Sequence, residues 1–353
     1  MSFLANIRSP AISWWRATPL PAEDPEAPSQ FRRWHRFDES CGQWVVVKPT
    51  NHESAGSQRS QQDRGSDLTL YTWNVDAGAR WPQLRIAAII SHLLNSTPTA
   101  DIIFLQELTE PAFDTLLTDQ RIRQNWFLSE GDTTAWQNSG FSTVTLLSRA
   151  RFGHPQDTTP ERAALGPVWR VQYPSRFGRD ALCCDIFLPS AASKPEEPKS
   201  QVRLINVHLD SLALNPSQRP RQIAIAASFL QSVGRGLVAG DFNPVLEEDA
   251  SLVANNGLLD AWLQLHPDEP GFTWGIDGKQ HFPPGRLDKV ATLGLQPVSI
   301  EVIEPGVARQ LSTTEVAGNL SEQNEATNDG GQLQGVSWSD HCGLRCVFRM
   351  APE

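Results

Sequence analysis

Apolar residues from Leu68 onward follow two patterns that alternate along the chain. Short apolar runs predict β-strands at Leu70–Asn74, Ile102–Leu105, Thr143–Leu147, Leu182–Leu188, Val202–His208, Gly236–Ala239, Leu287–Ala291 and Gly343–Phe348. Apolar residues at helical spacing predict helices over Ile86–Leu94, Pro111–Leu117 and Gln218–Leu230. This alternation of strands and helices predicts an α/β domain.

The first 66 residues lack this alternation and are predicted to form an N-terminal extension. Within it, Trp34–Val47 is expected to pair as a small hairpin, and the polar stretch Asn51–Ser66 has the composition of a disordered linker. The folded domain is therefore expected over residues 67–351. Two polar stretches inside that domain predict exposed loops, Ser190–Ser200 and Thr313–Gln334.

The charge balance argues against non-specific binding to duplex DNA. The chain has 353 residues, with 30 Lys and Arg against 40 Asp and Glu, and a formal net charge of -10. Because bulk DNA affinity comes from cations that neutralise phosphates, any nucleic-acid contact must be local or must involve a metal ion. Five cysteines without a CxxC pair are typical of buried thiols in a reducing compartment. Without an apolar run long enough for a transmembrane helix, an intracellular protein of the nucleus or cytoplasm is expected.

Polar side chains gather where the predicted strands end. They are Asn74 and Asp76, Gln106-Glu107, His208 and Asp210, Asp241 and Asn243, Arg286 and Asp288, and Ser339-Asp340-His341. Each motif alone also fits a turn, a solvated strand exit or a core histidine. Turns do not require acids and histidines at separate strand ends, however, and the strand ends of α/β sheets are where ligands bind. The recurrence therefore predicts one site at the rim of the sheet.

Phosphoryl transfer to water is the chemistry that needs such a set. Magnesium prefers oxygen ligands and uses one or two carboxylates, and Glu107, at the end of a buried strand, is the first candidate. An attacking water must be positioned and deprotonated, which suits Asp241 with Asn243 beside it. Asp288 would orient His341. Donors for the charge that develops on phosphorus are His208, His341 and the Asn74 amide.

Four segments, in this order, resemble signatures of the endonuclease/exonuclease/phosphatase superfamily. They are Thr72-Trp73-Asn74, Leu105-Gln106-Glu107, Gly240-Asp241-Phe242-Asn243 and Ser339-Asp340-His341. Within the superfamily the chain is most similar to the 5′-tyrosyl-DNA phosphodiesterases, with which it also shares segments like His208-Leu209-Asp210-Ser211 and Phe272-Thr273-Trp274. The resemblance covers about Leu68–Met350. It implies a four-layer α/β sandwich, in which two packed mixed β-sheets are flanked by helices.

The resemblance also implies an activity, a cofactor and a partner. The activity would be hydrolysis of the 5′-phosphotyrosyl bond in topoisomerase II remnants on DNA, with Mg2+, or Mn2+ in its place, as cofactor. The partner would be a single-stranded 5′ DNA end bearing a tyrosyl or peptide adduct, with no membrane, and the protein is expected to be a monomer. By the family pattern, the catalytic residues are Asn74, Asp241, Asn243, His208, His341 and Asp288, the metal ligands are Glu107 and Asp340, and the substrate contacts are Asp76, Ser211, Trp274 and Arg179.

A basic and aromatic stretch is a further candidate for a nucleic-acid contact, because this mixture suits phosphates and stacked bases of a single strand. A solvated loop face explains it equally well. The residues are Arg162, Arg170, Arg176 and Arg179, interleaved with Trp169, Tyr173 and Phe177.

Two other functions remain compatible with the sequence. Another enzyme of the superfamily, such as a nuclease or a phosphoinositide or sphingolipid phosphoesterase, would carry a similar site, although the chain has no polybasic cluster or lipidation motif. A non-catalytic binding module on this fold is expected to lack at least one essential polar residue, and each is present here. Hydrolysis of a nitrophenyl ester of thymidine monophosphate, with magnesium and then with EDTA, separates an enzyme from a scaffold.

Overall fold

Two mixed β-sheets form the centre of the molecule. The computed structural model describes residues 27–47, 67–136, 140–153, 162–188, 200–309 and 335–349. In chain order the strands are β1 (Ser29–Arg32), β2 (His35–Asp38), β3 (Gln43–Val46), β4 (Leu68–Asn74), β5 (Ile102–Thr109), β6 (Trp126–Leu128), β7 (Phe141–Ser148), β8 (Phe152–Gly153), β9 (Ala163–Gln172), β10 (Asp180–Leu188), β11 (Ser200–His208), β12 (Gly236–Asp241), β13 (Leu259–Asp260), β14 (Asp288–Leu293), β15 (Gln296–Ile303), β16 (Val307–Arg309), β17 (Gly335–Ser337) and β18 (Gly343–Arg349). The helices are α1 (Pro82–Asn95), α2 (Glu110–Thr118), α3 (Gln120–Asn125), α4 (Arg219–Gln231) and α5 (Ala261–Leu265).

The strand order brings distant parts of the chain together in each sheet. The first sheet has the order β1-β9-β10-β11-β12-β14-β13, with β8 beside β9, and the second has the order β15-β18-β4-β5-β7-β6-β2-β3. The pairs β4–β5 and β11–β12 are parallel, as expected for strands joined through a helix, and both lie near the middle of their sheets. β16 and β17 pair separately.

Three hydrophobic clusters show that the molecule has four layers. The first cluster lies between the sheets and joins side chains such as Phe104 of one sheet to Leu204 of the other. The second packs α4 on the outer face of the first sheet, and the third packs α1 and α2 on the outer face of the second. The expected fold of two packed mixed sheets flanked by helices is confirmed. None of the described helices is long and apolar enough to cross a membrane.

Residues 27–47 contribute strands to both sheets. β2 and β3 form a hairpin within the segment where one was expected, but β1 also pairs with β9 and β2 with β6. Trp34, between β1 and β2, is 1% exposed, and its indole N–H donates to the Gly166 carbonyl at 2.9 Å. The folded unit therefore begins before residue 67. The predicted linker at residues 51–66 lies outside the described residues, as do the predicted loops apart from Ser200, which opens β11.

The basic and aromatic stretch around residues 162–179 is not a continuous surface. Most of it is β9, whose Trp169 is fully buried. The guanidinium of Arg170 pairs with the buried Glu130 at 3.0 Å and with the partly exposed Asp180 at 2.8 Å. An arginine and an aromatic residue alternate here because they face opposite sides of a buried strand. All five cysteines are free thiols, and Cys41 alone among them is exposed.

Candidate active site

The register of the strands brings the predicted polar residues into two facing rows. In the first sheet His208 of β11 lies beside Asp241 of β12, which lies beside Asp288 of β14. In the second sheet Asn74 of β4 lies beside Gln106 of β5. Because the sheets pack face to face, residues that are far apart in sequence meet at one rim.

Asn74 connects the two rows. Its side-chain amide donates to Glu107 Oε1 at 3.1 Å and to Asp241 Oδ2 at 3.0 Å. The amide is fixed in turn, since its Oδ1 accepts the backbone N–H of Asp76 and its carbonyl accepts the Ser339 hydroxyl at 2.6 Å. Asn74 therefore holds two carboxylates, one from each sheet, in a defined position.

Glu107 reaches the site through an irregularity in β5. The pairing of β5 with β7 shifts register between Leu105 and Leu108, and Glu107 has a φ of 57°. This left-handed conformation is strained for a glutamate, and such irregularities redirect side chains next to active sites. The second carboxylate oxygen of Glu107 accepts the Ala77 N–H at 2.8 Å, which fixes the new direction.

Asp241 lies between two histidines. Its Oδ2 is 3.6 Å from His208 Nε2 and 3.9 Å from His341 Nε2. The other side of the His341 ring is held by Asp288, whose carboxylate is 2.8 Å from Nδ1. Gly240, the residue before Asp241, lies so close to β11 that a Cβ at this position would be 2.0 Å from the Val207 carbonyl oxygen. This close approach of the two strands holds Asp241 at the end of β12.

Burial and neighbouring charges give these groups different proton affinities. Burial raises the pKa of Asp241 to about 7. Burial opposes protonation of His341, but the Asp288 carboxylate outweighs it and raises the pKa of His341 to about 10. Burial, together with the nearby charge of Arg179, lowers the pKa of His208 well below its usual value. At neutral pH the site thus has an imidazolium on one side of Asp241 and a neutral imidazole on the other.

The donor set fits a divalent cation. One ligand atom each from Glu107, His208 and Asp241 lie within 4.8 Å of one another, and the same holds for Asp241, Asp288 and His341. In the second group the Asp288–His341 hydrogen bond already occupies both partners. In the first group His208 Nε2 is buried without a hydrogen-bond partner among the described residues. The first group, with Glu107, is therefore the better candidate metal site, and its carboxylate oxygens suit a hard cation.

Comparison with known proteins identifies the family. The sequence pattern of the Endonuclease/Exonuclease/phosphatase family matches residues 71–341. The chain belongs to this family. Human Tyrosyl-DNA phosphodiesterase 2 is 24% identical to it over 234 residues, which are 64% of this chain and 56% of the human protein. The match thus spans little more than half of that relative's length.

Solved structures of this family share the fold. Humanized D. rerio TDP2 with 14 mutations has a TM-score of 0.57 and 20% identity, and the match covers 80% of this chain and 99% of that one. D. rerio TDP2 complexed with single strand DNA product has a TM-score of 0.56 and 20% identity, with the same coverage. TDP2 from C. elegans has a TM-score of 0.56 and 18% identity, with 80% of this chain and 75% of that one covered.

Of the two residues predicted as metal ligands, Glu107 lies in one of the two candidate metal groups and Asp340 lies in neither. The Asp340 carboxylate is exposed, accepts the Trp274 indole N–H at 3.1 Å and lies outside both candidate metal groups of the described residues. Of the predicted substrate contacts, Asp76 is also otherwise engaged, because it pairs with the buried Arg85 at 3.0 Å. Arg85 in turn donates to the carbonyl of Trp338, so this pair fastens the segment before His341.

The other predicted residues lie around the cluster. Asn243 has a φ of 46° and donates its side-chain amide to the Leu209 carbonyl, while its backbone N–H donates to Asp241 Oδ1 at 2.9 Å. The backbone of Trp274 forms an isolated antiparallel β-bridge with that of His341. Arg179 is almost fully buried and donates to the Ser211 hydroxyl at 3.0 Å.

Several supporting residues were given no role of their own from the sequence. Gln106 donates to Asn206 at 2.8 Å across the gap between the sheets, directly beneath the site. The hydroxyl of Thr273 accepts the backbone N–H of Asp288 at 3.0 Å. Phe141 stacks on the His208 ring, with centroids 5.9 Å apart, and also lies under Arg179. A lone Gln, Thr or Phe acquires such a position only through the packing of the sheets.

Proposed function

We propose that this protein is a divalent-metal-dependent phosphodiesterase that hydrolyses the 5′-phosphotyrosyl bond of protein–DNA adducts, such as topoisomerase II remnants. The observation that carries the proposal is the convergence of Glu107, Asp241 and two histidines from separate strand ends. The side chains already contact one another, so the site needs little rearrangement to act.

Asp241 is assigned the role of general base. A base works best when its pKa lies near the working pH, and burial brings the pKa of Asp241 to about 7. The Asn74 amide and the Asn243 N–H fix both carboxylate oxygens of Asp241. A water held against Asp241 would give up its proton to the carboxylate as the water oxygen attacks phosphorus. The P–O bond to the tyrosyl oxygen would break in the same displacement, leaving a 5′-phosphate on the DNA and a tyrosine whose phenolate takes up a proton.

Fixed cationic side chains are assigned the role of stabilising the negative charge that builds on the phosphoryl oxygens. His341 is cationic at neutral pH and is oriented by Asp288, so its Nε2–H is available to a phosphoryl oxygen. Arg179 adds a buried positive charge near Glu107 and Asp241, and no carboxylate of the described residues lies within ion-pair distance of it. Such preorganised donors are usually the largest contribution to catalysis.

The metal is assigned to Glu107, with Asp241 and His208 beside it. When bound there, Mg2+ or Mn2+ would neutralise the phosphate and act as a Lewis acid on one of its oxygens. Independently of it, Asn74 and the Ala77 N–H keep both Glu107 oxygens in position, and His208 presents an uncharged ring that does not repel a cation.

The substrate class is supported by the relatives and by the rim. The human relative is named as a tyrosyl-DNA phosphodiesterase, and the D. rerio relative was crystallised with a single-strand DNA product. Trp274, next to His341, offers an aromatic surface on which a terminal base would stack. We further propose that the protein acts as a monomer in the nucleus or cytoplasm, where DNA adducts are repaired.

The decisive experiment is a product assay on matched oligonucleotides. Oligonucleotides that carry 5′-tyrosine, 3′-tyrosine or 5′-phosphate are incubated with the full chain in magnesium and then in EDTA. We expect magnesium-dependent release of tyrosine from the 5′-tyrosyl substrate only. Equal release from the 3′ adduct, or phosphate release instead, contradicts the proposed substrate, and background rates with every substrate and with a nitrophenyl thymidylate contradict the hydrolase itself.

Two variants separate metal binding from base catalysis. Glu107→Gln replaces a hard ligand by an amide and should remove activity and magnesium activation together. Asp241→Asn should keep substrate binding and lower kcat by at least ~100-fold, the usual contribution of a general base. An Asp241→Asn effect confined to KM excludes the base role.

A further inference from the structure

A cleft continues from the catalytic cluster along the rim of the first sheet. Its volume is about 310 Å3, and its lining extends from His208 on β11, past Arg179, to Gln30 and Arg32 on β1. The order of these residues follows the strand order β11, β10, β9 and β1. The opposite wall is the start of β7 in the second sheet, so the cleft lies between the two sheets.

The position of the cleft relative to Trp274 indicates which part of a phosphodiester enters it. His208 lies on the β11 side of Asp241, whereas His341 and Trp274 lie on the β14 side. The two ester groups on a phosphorus atom at Asp241 point in different directions. If the nucleotide stacks at Trp274, as proposed above, the leaving group enters the cleft.

The near end of the cleft is aromatic. Phe141 and Phe177 face the Arg179 guanidinium, which lies 4.9 Å from the first ring centroid and 5.6 Å from the second. The cleft as a whole is near the lower end of the usual volume range for small-molecule sites, so its near end takes one ring-sized group and the far end a short stretch of chain. An aryl leaving group therefore fits next to His208.

The far end is polar, and its charges are largely balanced. Arg170 pairs with Glu130 and Asp180, and Arg32 lies 3.8 Å from the same Glu130 carboxylate. Two guanidinium groups thus face two carboxylates, which leaves little positive charge for a second phosphate. Neutral hydrogen-bonding groups, such as the amides of a peptide, suit this end better than another nucleotide.

β1 forms this far wall, and it lies before residue 71, where the match to the family begins. Among the described strands β1 pairs with β9 only, so it is an edge strand of the first sheet. We propose that Gln30 and Arg32 of β1 form a subsite for the peptide that follows the tyrosyl leaving group, so that the N-terminal segment selects peptide adducts over single tyrosine. This inference rests on the proposed phosphotyrosyl hydrolysis.

The test compares two variants of the cleft with one neighbouring control. Gln30→Ala and Arg32→Gln alter the subsite, and Arg33→Gln changes an exposed arginine of the same segment that does not line the cleft. For each full-length protein, kcat/KM is measured on a 5′-tyrosyl-peptide oligonucleotide, a 5′-tyrosyl oligonucleotide and the nitrophenyl ester of thymidine 5′-monophosphate. Thermal melting confirms that each variant is folded.

The expected result is a change in selectivity. In Gln30→Ala and Arg32→Gln, the ratio of kcat/KM for the peptide adduct to that for the 5′-tyrosyl oligonucleotide falls about three- to tenfold, the effect of one lost hydrogen bond. Arg33→Gln keeps the wild-type ratio. An unchanged ratio in both folded subsite variants overturns the inference.

Two further arms identify the occupant and the source of any failure. A substrate with a nucleotide in place of the peptide tests whether the far end binds nucleic acid instead. If the subsite variants lose more kcat/KM on that substrate than on the peptide adduct, the assignment of the subsite to a peptide is overturned. Failure of the proposed function is visible in the wild-type protein, which would then cleave the nitrophenyl ester but neither tyrosyl adduct, and the inference fails with it. Failure of the inference alone appears only in the variants.

Discussion

Asp288 acts on the reaction through His341, which makes it a positioning residue. Asp288→Asn keeps the size of the side chain but removes the charge that raises the pKa of His341. We expect the pKa of His341 to fall and kcat to drop by at least ~100-fold, with a smaller change in KM. Kinetics and an NMR titration of the imidazole measure both effects.

The matched control is Asp268→Asn, an exposed aspartate outside the site, which should change neither quantity. If the pKa of His341 falls but kcat is retained, the cationic form of His341 is not needed for the reaction.

Lys289 gives a pH dependence of stability that is separate from catalysis. Burial, with help from Arg286, lowers the pKa of Lys289 to about 8. Below pH 8 the folded protein bears the full cost of the buried charge. Between about pH 8 and 10.5 the unfolded chain holds a proton that the folded chain has released, so this residue makes the free energy of unfolding rise with pH.

Lys289→Met should remove this cost. We expect the variant to exceed the wild type in free energy of unfolding by roughly 1–3 kcal/mol at pH 7, and the gain to shrink at pH 10. The carboxylate next to Lys289 is Asp260, 3.9 Å away, and it keeps a partner in the variant because Arg286 lies 2.8 Å from it. Urea unfolding at both pH values measures the gain, and Lys279→Met, at an exposed lysine, should show none. A gain that is the same at both pH values would point to packing instead of charge.

At the scale of elements, the strands that carry the site were predictable, whereas β9 was not. β4, β5, β11 and β12 are mostly apolar and buried and end in polar residues, because strands in the middle of a sheet are buried on both faces and end at the rim. β9 was missed since Arg170 and Trp169 resemble a basic aromatic surface. Only the fold shows that Arg170 has Glu130 as a partner from another element.

The same limit applies to the candidate site. Its candidate members could be predicted from residue type and position, and the structure brings Asn74 into contact with Glu107 and Asp241. The position of Asp340 outside the cluster could not be predicted, because a loop residue next to His341 belongs to no periodic pattern that would fix the direction of its side chain. The left-handed turn at Glu107 was equally invisible, since its cause is a register shift against β7.

The two sheets are coupled beneath the site by Asn206 of β11. Its amide donates to the carbonyls of Leu105 and Val144 in the other sheet, and its Oδ1 accepts from Gln106. Asn206→Leu should lower the free energy of unfolding by roughly 1–3 kcal/mol, because it leaves buried polar groups without partners.

Asn206→Leu should also lower kcat, since Gln106 precedes Glu107. Chemical denaturation and kinetics on the same preparation measure both effects. Adding Gln106→Leu should restore part of the stability but not the activity, and a double variant as active as the wild type would show that this connection does not position Glu107.

At the scale of the molecule, residues 27–47 are expected to be part of the folded unit. Deleting residues 1–47 removes Trp34, which is buried against β9. We expect a loss of at least about 3–5 kcal/mol in the free energy of unfolding, the cost of removing one large buried side chain. Trp34→Ala should account for much of this loss, whereas Trp81→Ala, at a half-exposed tryptophan, should cost far less. A deletion that melts like the full chain would return these residues to an accessory role.

The charge of the whole molecule sets how it holds DNA. With a formal net charge of -10, long-range attraction to DNA is absent, and binding must come from the metal, from Arg179 and from stacking. For a single strand, the logarithm of affinity falls with the logarithm of salt concentration by about 0.7 for each phosphate that a protein cation neutralises. We therefore expect a shallow slope of about 0.7 to 1.4 for Asp241→Asn bound to a 5′-phosphorylated oligonucleotide at constant magnesium, measured by fluorescence anisotropy. Adding Arg179→Gln should reduce the slope by about 0.7, while Arg33→Gln should not change it. A slope of about 3 or more would require an extended cationic surface, which the ion-paired Arg170 cannot supply.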